Sequence, residues 1–221
     1  MSSFNLGQYY DGLKIGCYTI LMTLGLEIFS WSSVRKLIQS SRENQKLYRQ
    51  AIVANVVNIL GLGPGLYYLS KIYFVSPQPL LLYERIITLF NLLVIQSIGY
   101  YLAHRAMHTK LLYFSHKFHH QFNKIVIPMT ANAVSIYEFF LAYMIPIIAG
   151  IYLCHPDDLT IQIATYIISV FNLIIHTPGL ETISAKYYPK FLVSTANHLE
   201  HHRAQRTKYA APLINWDHIL N

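Results

Sequence analysis

Eight of the chain's eleven histidines fall into three short stretches. His104 and His108 sit in HRAMH, His116, His119 and His120 in HKFHH, and His198, His201 and His202 in HLEHH. Residues three and four apart overlie one another on a helix, so each stretch can present two or three imidazoles on one face. Imidazole is the commonest metal-binding side chain and suits iron, zinc, copper or nickel. Eight donors exceed the four that one tetrahedral zinc takes, which points to two metal ions. An isolated HxxxH arises often by chance, but the adjacent pairs of HxxHH are hard to bury without a metal, because each buried ring nitrogen needs a partner. His176 joins them as a ninth candidate, since it ends a long apolar run where an unpartnered polar group is costly. His155, in CHPDD, and His218, after Trp216 and Asp217, read as surface or capping residues.

The elements that must position these rings are membrane helices. Of 221 residues 53% are hydrophobic and only 12% charged, against about 25% charged in a soluble domain. Apolar stretches run over residues 13–31, 51–75, 86–103, 133–153 and 159–177, each near or above the ~20 residues needed to cross the hydrocarbon core. They are apolar nearly all round, which excludes a soluble helical core. The fold class expected is all-α: an integral membrane bundle of four to five spans with a cytosolic helical cap carrying the histidines. Gly61, Leu62, Gly63, Pro64 and Gly65 interrupt the second stretch and leave open a kinked span or a re-entrant hairpin.

The net charge of +7 is spread over several short segments, not gathered in one stripe, so no nucleic acid partner is expected. Arg35, Lys36, Arg42, Lys46 and Arg49 fall in one connection, Arg105, Lys110, Lys117 and Lys124 in a second, and Lys186, Lys190, Arg203, Arg206 and Lys208 in the tail. By the positive-inside rule these regions face the cytosol, together with all three histidine stretches. The turns around residues 76–79 and 154–158 carry no Lys or Arg and face the opposite side. The first twelve residues lack the basic character of a cleaved leader, so insertion is expected to begin with the first span. Cys17 and Cys154 show no metal or disulfide spacing and read as packing residues.

The order and spacing of HRAMH, HKFHH and HLEHH resemble the fatty acid hydroxylase superfamily, which includes sterol desaturases and sterol methyl oxidases. The resemblance takes in HRAMHTKLLYFSHKFHH, the isolated His176 and HLEHHRAQRTKYAAPLINWDHIL. It covers residues 88–221 as a diiron domain, preceded by N-terminal membrane helices over 1–87. It implies that His104, His108, His116, His119, His120, His198, His201 and His202, with His176, ligate two non-haem irons, for which zinc can substitute in isolated protein. No catalytic side chain beyond the ligands is assigned. The activity implied is dioxygen-dependent hydroxylation or desaturation of a sterol or fatty acyl lipid drawn from the bilayer, in lipid biosynthesis at the endoplasmic reticulum. Leu180 stands where related hydroxylases can carry a further histidine, and Ala210 where glycine is common.

No flavin, nicotinamide or haem motif is present, so electrons are expected from a membrane cytochrome and its reductase, steered by the basic face. Glu181, Glu200 and Asp217 are the carboxylates nominated to orient ligand rings. Glu27, Glu84 and Glu138 lie in or near apolar runs and are expected paired or neutral. Two other classes fit parts of the pattern. A metal transporter would place its ligands near the GLGPG interruption, and a zinc-dependent lipid hydrolase would need Glu200 as its base.

Overall fold

The computed structural model describes residues 6–220, and its regular elements are helices; among the described residues the one extended pairing is an isolated antiparallel bridge between Leu192 and Ile214. Five helices are long and apolar enough to span a membrane: Tyr9–Phe29, Arg42–Phe74, Leu82–Met107, Ile136–Cys154 and Asp158–Ile175. Large side chains such as Leu21, Ile86, Phe90, Ile145 and Leu153 are exposed on their outer faces. In water that surface would be costly; in lipid it is the expected boundary.

The second span is one continuous helix. It starts where Ser41 caps Asn44 N at 3.1 Å and passes its interruption through a π-helical stretch, Val56–Leu62, with Gly63 N bonded to Asn58 O five residues back. A regular helix would drive the Pro64 ring into the carbonyl four residues earlier, and the wider π turn relieves that conflict. The first span packs on it backbone to backbone: a Cβ on Gly16 would lie 2.6 Å from Ile59 O. Cys17, expected as a packing residue, is exposed instead.

The connection assigned to basic residues 35–49 is largely helical. Trp31–Ser40 is amphipathic, burying Val34 and Leu37 while Arg35 and Lys36 stay exposed. The buried pair joins Leu47, Ala51, Phe122, Ile127 and Met129 in one apolar cluster. At the opposite end of the bundle the remaining cations are paired: Lys71 with Asp11 at 3.0 Å and Asp158 at 2.8 Å, Arg85 with Asp157 at 2.6 Å, and Lys14 with Asp11 at 3.3 Å. Excess positive charge therefore lies at the histidine end. His155 closes the fourth span in a left-handed C-cap conformation, and His218 is exposed, as expected of both.

Between the second histidine stretch and the fourth span the chain is irregular and deeply buried, with a 3-10 turn at Pro128–Asn132. Irregular backbone at this depth survives only where protein groups take its hydrogen bonds. Glu27 accepts from Met129 N at 3.0 Å and from Tyr48 Oη at 2.5 Å. Asn55 donates to Met129 O and Asn58 to Val134 O, each at 3.0 Å. Tyr143 and Asn172 donate to Ala131 O at 2.8 and 3.0 Å. Four spans thus fix this segment. Glu84, also expected to be partnered, accepts from Leu81 N at 2.9 Å and caps the third span.

Candidate metal centre

The nine histidines arrive from four places. His104 rides the last turn of the third span and His108 is its C-cap. His116 ends the short helix Tyr113–His116, and His119 and His120 lie in the 3-10 turn His119–Gln121. His176 is the C-cap of the fifth span. His198, His201 and His202 belong to the helix Thr195–Ala204, which begins where Ser194 accepts from Asn197 N at 3.1 Å. The tail folds back over them. Val193 N bonds Leu213 O at 2.9 Å, and Ser97 of the third span accepts from Trp216 Nε1 and from Ile214 N, each at 3.2 Å.

Together they form two groups, buried apart from the half-buried His108. His104, His108, His116, His120 and His201 make one; His119, His176, His198 and His202 make the other. Within each group one ring nitrogen per residue lies within 4.8 Å of all the others. The sequence stretches do not map onto groups: HKFHH and HLEHH each serve both, and HKFHH does not form one continuous helix. Successive helical residues point about 100° apart, so His201 and His202 diverge to different groups. His119 and His120 diverge likewise, and the groups share a wall where the rings of His120 and His202 are 5.0 Å apart.

The hydrogen bonds behind the rings decide what their inner faces offer. His104 Nδ1 lies 2.7 Å from Tyr209 O, His201 Nδ1 2.7 Å from Thr207 O, and His176 Nδ1 2.6 Å from Asn172 O. A carbonyl only accepts, so each Nδ1 carries the proton and each Nε2 is a bare lone pair. His116 Nδ1 lies 2.7 Å from Oε1 of the wholly buried Glu138. The pair is close but makes no hydrogen bond, and His116 Nε2 lies 2.9 Å from His104 Nε2. His108 Nε2 lies 3.3 Å from His104 Nε2, and His176 Nε2 is 2.9 Å from His198 Nε2. His201 Nε2, both ring nitrogens of His120 and both of His202 are buried without a partner. Converging lone pairs repel one another and attract a cation, so the donor set fits two ions of an imidazole-binding metal.

Electrostatics favours the same state. Burial first, and then the neighbouring rings, hold His116, His119, His198 and His202 well below the ordinary imidazole range. Burial likewise pushes His120 down to about 2, and His108 and His176 to about 4. All are neutral at pH 7, the form in which an imidazole can bind a metal. Folded-state values below the usual 6.5 mean that the unfolded chain binds more protons, so stability rises with pH up to 6.5 and is lost as pH falls from 6.5 towards 4. A pH series of thermal unfolding on metal-free protein in detergent should show this steep loss within that window; a flat profile would contradict buried neutral rings.

The nominated carboxylates take other roles. Glu200 is exposed and pairs with Lys208, and Glu181 accepts from Gly179 N at 2.6 Å. Asp217 accepts from Ala210 N at 2.7 Å, and its charge opposes the downward shift of His201. Glu138, expected only to be paired or neutral, is the carboxyl group at a candidate ligand ring. An ionisable residue in an apolar run was the available signal. The carbonyls of Asn172, Thr207 and Tyr209 had none, because every residue has one. The fatty acid hydroxylase family matches residues 89–221. No curated protein and no solved structure matches the chain.

Proposed function

Because the chain belongs to the fatty acid hydroxylase family, we propose that it is a membrane-bound non-haem diiron oxidoreductase that uses dioxygen to hydroxylate or desaturate a lipid. The observation that carries this reading is the pair of abutting all-histidine groups, preassembled and neutral, at one end of a membrane bundle. His104, His108, His116, His120 and His201 would hold one iron, and His119, His176, His198 and His202 the other. Iron bound there supplies dioxygen activation and attack on an unactivated C–H bond.

The chain's own contribution is to fix tautomers and exclude water. Tyr209, Thr207 and Asn172 hold Nδ1 protons on their carbonyl oxygens, so that Nε2 faces inward. Glu138 Oε1 stands 2.7 Å behind His116 Nδ1 of the first group, where its ionised form would balance part of the charge that neutral imidazoles leave uncompensated. Burial of the rings keeps bulk water from competing for the donors. Electrons come from a separate membrane-anchored carrier docking on the basic histidine end, which faces the cytosol of the endoplasmic reticulum in this reading. The nine rings sit at helix ends and not beside the Gly61–Gly65 interruption, which speaks against metal transport. Glu200, exposed and paired with Lys208, is poorly placed to act as a hydrolytic base.

Metal analysis of protein purified without added zinc, together with lipid profiles of cells with and without the gene, tests the reading. Close to two irons per chain and one missing oxidised lipid are expected. Zinc as the native metal with an unchanged lipid profile would overturn it.

A further inference from the structure

A groove of about 430 Å³ runs down the outer face of the bundle, between the second span and the start of the fourth. Lys46, Arg49, Val53 and Val57 form one wall, with Phe118 and Ile136 facing them. The four wall residues follow one another at intervals of three and four, so they make a single stripe down the helix. The stripe is cationic at the histidine end and apolar below it. Val53 is 61% exposed, Val57 40% and Ile136 53%, so the apolar half opens sideways onto lipid.

The depth of each residue follows from the length of the second span. Lys71, paired with Asp11 and Asp158, marks the far edge of the hydrocarbon layer. A core ~30 Å thick takes about 20 helical residues, which places the near edge at about residue 51. Lys46 and Arg49 therefore stand at headgroup depth, while Val53 and Val57 lie among the first carbons of the acyl chains. Lys71 and Arg85 at the far end are neutralised by carboxylates, but no ion pair among the described residues engages Lys46 or Arg49. Two uncompensated cations above an apolar slot match an anionic headgroup joined to a hydrocarbon tail.

We propose that this groove seats one anionic phospholipid as a structural lipid, its phosphate on Lys46 and Arg49 and the start of one acyl chain against Val53, Val57 and Ile136. Both cations can bond phosphate oxygens, and Arg49 can do so through two parallel N–H groups. A zwitterionic phospholipid brings its own cation to the same place, where the second basic side chain repels it. Two cations suit a headgroup of single charge and fall short of the larger clusters that hold polyphosphorylated headgroups. The seated lipid also meets the support of the histidines. Phe118, in the groove, stands between His116 and His119. Ser135, also in its wall, donates to Ser115 O at 2.5 Å and accepts from Glu138 N at 3.1 Å. The lipid thus braces the HKFHH turn from the membrane side, and it needs neither metal nor turnover to bind.

The test is native mass spectrometry of the full chain in detergent with equimolar dioleoylphosphatidylglycerol and dioleoylphosphatidylcholine. One phosphatidylglycerol per chain is expected to be retained, with a preference of at least about tenfold over phosphatidylcholine. The double variant Lys46→Gln, Arg49→Gln should erase that preference, whereas Lys186→Gln, Lys190→Gln, which removes the same charge from exposed tail positions, should keep it. Val57→Trp, which fills the apolar half, should lower retention of the lipid in a protein that still carries both cations. Phosphatidylglycerol should raise the unfolding temperature of the parent and of the tail variant, and leave that of Lys46→Gln, Arg49→Gln unmoved, since a ligand of the folded state alone stabilises it. Equal retention of the two lipids, or equal loss in the two double variants, would overturn the proposal in favour of diffuse attraction to the basic end. Displacement of the lipid by millimolar inorganic phosphate, or retention indifferent to Val57→Trp, would overturn it in favour of a site for a free anion.

Discussion

The double variant His119→Ala, His120→Ala is expected to lose both metal ions and all oxidised product. The two residues are neighbours in sequence, yet His119 belongs to the group with His176, His198 and His202, and His120 to the group with His104, His108, His116 and His201. One short substitution therefore removes a donor from each. The single variants should differ. His119→Ala leaves three imidazoles in its group, whereas His120→Ala leaves four, so the first should lose more metal than the second. Activity should fall more than about a hundredfold in the double variant, beyond the range seen when only a supporting partner of a ligand is removed. Iron per chain by elemental analysis and product by lipid mass spectrometry give the answer. Continued product formation by the double variant would refute the assignment of these rings.

Glu138 should prove the most sensitive residue outside the nine rings. Its Oε1 lies 2.7 Å from His116 Nδ1, and both side chains are wholly buried. Glu138→Ala removes the carboxyl group that stands behind that ring, and metal affinity of the first group should fall by about 10–100-fold. Glu138→Gln keeps an oxygen beside the ring and cannot ionise, so its defect should be smaller. The ordering parent, Gln, Ala in a metal-competition titration is the signature of ring orientation. A variant that only loosened packing would leave the second group equally affected, since it would disturb the fold and not one ligand. Equal metal retention by all three proteins would show that Glu138 plays no part in ligation.

Much of the fold was legible because its signals are repetitive. The membrane class followed from long apolar runs, and the five spans lie close to the stretches that produced the expectation. The basic residues 35–49 read as a loop because charge marks an exit from the membrane, but propensity and an amphipathic pattern make Trp31–Ser40 a helix and start the second span at Arg42. The course through Gly61–Gly65 depended on a π stretch that composition does not encode. For the site, residue types and helical spacing picked out the rings that converge. The division into groups of five and four was hidden, because it depends on how HKFHH bends between Tyr113–His116 and His119–Gln121 and on the path by which the tail returns. Carbonyl partners such as Tyr209 O emerge only from that path.

The buried segment around Pro128–Asn132 makes the two ends of the chain interdependent. The family match begins at residue 89, but Glu27, Asn55 and Asn58, all before it, hold Met129 and Val134 in place by backbone hydrogen bonds. A truncated protein starting at the third span would retain every imidazole and still leave amides and carbonyls of this connector bare to acyl chains. The first two spans thus serve as scaffolding for a centre to which they contribute no ligand.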